Sequence, residues 1–80
     1  MKISEELLEK IAEQIHIRWA KNRKAQGWTY GIERNDEKRE TPCLVEYAEL
    51  SEEEKEYDRE TARATIEALE QLGYDLVKKE

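Results

Sequence analysis

Residues 4–31 read SEELLEKIAEQIHIRWAKNRKAQGWTYG, and the architecture follows from where its periodicity begins and stops. Ser4 has an oxygen suited to a helix N-cap, Ile3 before it is placed to staple onto Leu8, and Glu5, Glu6 and Glu9 put negative charge at the helix start. Leu8, Ile11, Ala12, Ile15 and Trp19 recur at spacings of three and four, one apolar stripe along a helix from about residue 5 to 25. Gly27 suits the exit of that helix. The aromatic, glycine-bracketed run Gly27-Trp28-Thr29-Tyr30-Gly31-Ile32 breaks the helical period and predicts a short strand or tight extended turn.

Working outward, the polar run Glu33 to Thr41 predicts a loop, and Pro42 pushes Thr41 toward extended backbone. Cys43-Leu44-Val45, Tyr47 and Leu50 are expected to pack irregularly against the helices. Ser51 with Glu54 matches a capping box, so a second helix starts there, with Tyr57, Ala62, Ile66, Leu69 and Leu72 on its buried side and Gly73 at its close. Tyr74-Asp75-Leu76-Val77 alternates and is expected to pair with Trp28-Thr29-Tyr30. The fold class is therefore helix-dominated α+β: two main helices packed with a small antiparallel sheet of short strands. Residues 1–80 form a single domain, without repeat or linker.

Eighty residues, 9.5 kDa, 38% hydrophobic side chains and no phenylalanine leave room for one thin core and exclude a two-domain enzyme. Charged residues make up 42% of the chain and the net charge is -6, which repels nucleic acid on average. Two Trp, four Tyr and regularly spaced Leu and Ile set the chain apart from disordered sequences of similar polarity. Cys43 is alone, which precludes an internal disulfide and fits a reducing compartment. The acidic start lacks the apolar run of a signal peptide and no segment is long and apolar enough for a membrane helix, so a cytoplasmic protein is expected.

The charge is unevenly distributed. Residues 16–39 hold seven basic against three acidic groups, whereas residues 40–80 hold five against thirteen. The basic stretch, with Arg18, Lys21, Arg23, Lys24, Arg34, Lys38 and Arg39, encloses Trp19, Trp28 and Tyr30. Aromatic faces stack bases and nearby cations meet phosphates, the chemistry of an anion-binding cleft. The same residues also suit structural roles: cations near a helix end favour the macrodipole, Trp19 lies on the apolar stripe, and Trp28 sits between glycines. Catalytic chemistry is sparse. His16, the single histidine, falls beside the stripe and reads as structural, nothing orients a dyad with Cys43, and Ser4 and Ser51 are accounted for as caps. The acidic run Glu52 to Glu56 reads as a solvated face, the acids lack the spacing of a calcium loop, and Gly27 with Gly31 does not form a phosphate-cradling loop. No enzyme, metal or cofactor is expected.

Read together, Trp19-Ala20-Lys21 with Arg23, Gly27-Trp28-Thr29-Tyr30-Gly31, Lys38-Arg39, Pro42-Cys43-Leu44-Val45 and Tyr47 resemble the ryanodine receptor repeat, or RyR domain. The likeness continues through Leu50, Lys55-Glu56-Tyr57-Asp58-Arg59 and Leu72-Gly73-Tyr74, over residues 11 to about 77. The resemblance implies a compact helical unit with a few short strands, occurring as tandem pairs in calcium release channels. A single copy is similar to stand-alone prokaryotic or phage versions, for which it implies a homodimer.

The resemblance also implies a ligand of adenine-nucleotide type stacked on tryptophan between copies. Its stacking position falls on Trp19, with Arg23, Trp28, Tyr30, Lys38, Arg39, Thr41 and Tyr47 around it as the candidate ligand-binding set. Thr41 and Glu46 stand where many members carry a histidine and a proline. The expected function is thus a non-catalytic module that binds a small anionic ligand, a nucleotide derivative, at an aromatic and basic cleft. The alternative is a protein-interaction module without a small ligand, which docks through its acidic second helix and aromatic edge.

Overall fold

In a computed structural model, residues 3–79 are described. The order of elements is helix α1 (Glu5–Ala25), strand β1 (Thr29–Tyr30), strand β2 (Glu40–Thr41), a 3₁₀ turn (Tyr47–Glu49) and helix α2 (Glu52–Gln71). Both helices begin and end as their sequences dictate. Ser4 Oγ accepts from the Leu7 amide at 3.0 Å, and Ser51 Oγ accepts from the Glu54 amide at 3.2 Å.

Each helix closes in a two-bond cap around a left-handed glycine. At the end of α1, Gly27 (φ 90°) donates to the Lys24 carbonyl and Trp28 to that of Arg23, both at 3.0 Å. At the end of α2, Gly73 (φ 93°) donates to Glu70 and Tyr74 to Leu69. These are the paired bonds that satisfy the last carbonyls of a helix, and glycine adopts their backbone without a Cβ penalty.

The core lies between α1 and α2. Leu8, Ala12 and His16 are buried on α1, Ala62 and Ile66 on α2, and Leu44 and Tyr47 come from the intervening segment. The buried line on α1 recurs every fourth residue. Ile11, Ile15 and Trp19 flank it, half-buried rather than buried. On α2 the expected buried side is narrower than the periodicity suggests. Tyr57 and Leu72 are 66% and 72% exposed, because the packed surface follows the four-residue line through Asp58, Ala62 and Ile66. Among the described residues no helix is long and apolar enough to cross a membrane.

The sheet corrects the sequence reading in two ways. β1 pairs with β2, in parallel, with Thr29 opposite Glu40 and Tyr30 opposite Thr41; residues 74–79 form no strand. The cause is a second reversal inside the segment read as a loop. Asn35 and Glu40 exchange backbone hydrogen bonds, 2.9 Å each, and Asn35 Oδ1 accepts from the Lys38 amide at 3.0 Å. The chain turns back once after β1 and again across this bridge, so β2 runs in the direction of β1. Arg39 takes the left-handed conformation (φ 56°) that the bridge requires.

Gly31 is held by contact rather than by backbone angle. A Cβ there would lie 2.7 Å from Glu40 Cβ, an atom that moves only with the backbone of β2. Gly31→Ala is therefore expected to push the strands apart and to cost about 1–3 kcal/mol. Thermal unfolding followed by circular dichroism checks this, and an unchanged melting temperature would mean that the two-residue ladder contributes nothing.

Candidate functional site

The local spacing of α1 builds an aromatic and cationic column. His16 and Trp19, three residues apart on one helical face, stack with centroids 5.6 Å apart and planes 24° from parallel. Arg23, one turn on from Trp19, brings its guanidinium carbon to 5.7 Å from that indole's centroid. The cap at Gly27 places Trp28 directly after the helix end, so the same guanidinium stands 5.2 Å from the second indole. Arg34, from the loop, lies 5.9 Å from Trp28 on its own account. The three guanidinium contacts fall within the roughly 6 Å range of cation–π attraction.

Trp19 is engaged by the His16 ring and Arg23, and Trp28 by Arg23 and Arg34, so both rings are occupied by the chain's own groups. Their effect is to hold two guanidinium groups in position. Arg34 is neutralised in part by Asp36, 2.9 Å away. Among the described residues no carboxylate lies within ion-pair distance of Arg23, which leaves its charge available.

The other residues of the candidate set separate into roles. Thr41 is buried, and its hydroxyl accepts from the Cys43 amide at 3.3 Å. Arg39 donates through Nη1 to the Gln26 carbonyl at 2.6 Å, tying the hairpin to the end of α1. Tyr30 and Lys38 are exposed and make no ring or ion contact with the column. Tyr47 is a core residue. Its hydroxyl donates to Glu9 Oε1 at 2.5 Å, and burial with the adjacent Glu9 carboxylate pushes its pKa up to about 12.

A groove of about 380 Å³ opens beside the column, lined by His16, Trp19, Arg34, Thr41, Pro42, Cys43, Leu50, Glu54, Tyr57 and Asp58. Its volume is in the range of small-molecule clefts, roughly 300–1,000 Å³. Larger hollows exist, including one of about 670 Å³ that His16 also lines. Among the described residues, the groove of about 380 Å³ joins an indole, a guanidinium and the buried His16 and Thr41, and this chemistry singles it out.

Of the residues lining the groove, Trp19 and Thr41 belong to the candidate set; the charged groups the structure adds include Arg34, which the sequence places only within the basic stretch, and Asp58. Asp58 had a signal: it stands one turn before Ala62 on the buried line of α2, where an acid calls for an explanation. Burial is the main cause that raises its pKa above the ordinary carboxylate value; Glu54 adds to the shift and His16 opposes it. Burial likewise pushes the Cys43 thiol up, away from the thiolate. Among the described residues, no three His, Cys, Asp or Glu side chains are grouped to hold a metal ion. The family model described as RyR domain matches residues 2–78.

Proposed function

This chain belongs to the RyR domain family, and from that premise we propose that it is a non-catalytic module that binds a small anionic ligand of nucleotide type. The observation that carries this reading is Arg23, held between two indoles with no carboxylate partner among the described residues. A guanidinium oriented in advance and left without a counter-ion receives phosphate at little ordering cost. Arg34 supplies a second cation at the rim of the adjoining groove. The indoles thus act mainly by positioning cations, and the flat part of the ligand enters the groove beside Trp19. In this reading two copies pair as a homodimer in the cytoplasm; light scattering checks the pairing.

Thermal-shift measurements with nucleotides and cyclic nucleotides test the proposal, since a ligand at 100 times its Kd adds about 2.7 kcal/mol to stability. Arg23→Ala is expected to weaken binding by about tenfold or more while the protein stays folded. Absence of any shift across the panel would overturn the ligand reading.

That outcome would favour a protein-interaction module instead. The observation in its support is the exposure of Leu7, Leu72, Leu76 and Val77, four large apolar side chains at the helix ends and the C-terminal segment.

A further inference from the structure

Helix α1 carries a second apolar line besides the one it buries. Leu7, Ile11 and Ile15 recur every fourth residue, and Ile3, just before the N-cap, precedes them at the same spacing. Leu7, Ile11 and Ile15 each stand one position before a member of the buried line Leu8, Ala12 and His16, and so about 100° around the helix from it. Packing against α2 therefore leaves the second line only partly covered. Leu7 is 42% exposed, and Ile11 and Ile15 are half-buried. Leu76 and Val77 lie beside Ile3, Leu7 and Ile11 around a hollow of about 690 Å³, and widen the apolar face.

The charge of α1 divides by halves. Glu5 to Gln14 hold four acids and one lysine, whereas Ile15 to Ala25 hold Arg18, Lys21, Arg23 and Lys24 and no acid. Arg23 and Lys24 lie in the last turn, where the macrodipole accounts for them; Arg18 and Lys21 come before it. Among the described residues, Arg18, Lys21, Glu5 and Glu13 make no ion pair, and Glu6 meets only Lys10. Arg18 and Lys21 line the continuation of the apolar face beside Ile11 and Ile15.

Resting on the pairing of copies proposed above, we infer that this face of α1 is where two copies of the chain meet, with their first helices antiparallel across a twofold axis at Ile11. Such an axis sets Ile11 against its own mate and Leu7 of one copy against Ile15 of the other, so the apolar line is complementary to itself. Rows of side chains four apart are also the ones that interlock in the commonest packing of two helices. Antiparallel pairing brings the acidic half of each helix to the cationic half of its mate, where parallel pairing would oppose like charges. The same division disfavours an anionic membrane, whose single-sign field attracts Arg18 and Lys21 but repels Glu5, Glu6 and Glu13.

Sedimentation equilibrium of the intact chain tests the assignment. One helix face makes a small interface, so a dimer with a Kd on the order of micromolar is expected. Ile11→Glu sets an acid against its mate and is expected to weaken the dimer by about tenfold or more, with helicity by circular dichroism retained. The joint reversal Arg18→Glu with Lys21→Glu, both exposed, is expected to weaken it likewise. Adding Glu5→Lys and Glu6→Lys is expected to restore it, a rescue that surface charges of no consequence to pairing would not give. A dimer indifferent to all these variants would overturn the assignment and leave the pairing to another face. A monomer at about 100 µM would overturn the assignment and the pairing together. Capture of that monomer by vesicles of anionic phospholipid would give the face to a membrane instead. Nucleotide binding is read separately, since Arg23 and both indoles belong to one copy.

Discussion

Ile66→Ala is expected to cost about 2–5 kcal/mol, the loss associated with truncating a buried Ile. Ile66 is 7% exposed, and among the described residues no large side chain is sealed completely. The fully buried positions are Ala12 and Ala62, both at 0%. Two alanines on facing helices let the backbones approach closely, so little side-chain volume remains between them to absorb a deletion. A single core in a chain of this size supplies no more than about 3–5 kcal/mol. The variant is therefore expected to be largely unfolded at 25 °C, as measured by urea denaturation with circular dichroism. A loss under about 1 kcal/mol would show that Ile66 is not part of the core.

The second large effect is on acid stability. Glu9 on α1 is the point where α1, α2 and the 3₁₀ turn are joined by hydrogen bonds. Its carboxylate accepts from Arg59 Nε at 2.8 Å, from Arg59 Nη2 at 3.0 Å and from the Tyr47 hydroxyl. The Arg59 hydrogen bonds, followed by that of Tyr47, hold the Glu9 carboxyl below its ordinary value of 4.5. The folded pKa is thus lower than the unfolded one. The stabilisation is complete above the unfolded value and is lost as pH falls through the folded value.

Glu56, lowered chiefly by Arg63, follows the same sign, whereas Asp58, raised by burial, has the opposite sign and offsets part of the loss. Glu9 is 43% exposed, so solvent screening reduces its share. The melting temperature is expected to fall below about pH 4.5, and Glu9→Gln to flatten that limb by on the order of 5 °C. Identical pH profiles for the two proteins would show that the carboxylate does not couple the helices.

Much of this molecule is local. Ser4, Gly27, Ser51 and Gly73 set the ends of both helices through hydrogen bonds that span at most five residues. The same holds for most of the column: His16, Trp19 and Arg23 are neighbours because a helix places residues three and four apart on one face, and Trp28 joins because a glycine cap returns the chain there. The candidate site was therefore legible as far as Trp28. Arg34 and Asp58 were not, since their places depend on the hairpin and on the packing of α2 against α1. Tyr47 and Arg39 meet Glu9 and the Gln26 carbonyl, contacts the sequence does not distinguish from ligand contacts, because an aromatic or basic side chain looks the same whether it meets a ligand, a carboxylate or a carbonyl.

The amino-acid order alone determined two capped helices, their limits and the pairing of Arg23 with its two indoles, because each depends on interactions within one or two helical turns, and its motifs carry the family. Tertiary structure decided the parallel direction of the strands, since two successive reversals, neither marked by glycine or proline at its tip, set where β2 returns. It also decided which polar groups face the groove. His16 and Asp58 stand 42 positions apart in the chain, and only the packing of α2 against α1 brings Asp58 Oδ2 to 3.9 Å from His16 Nδ1.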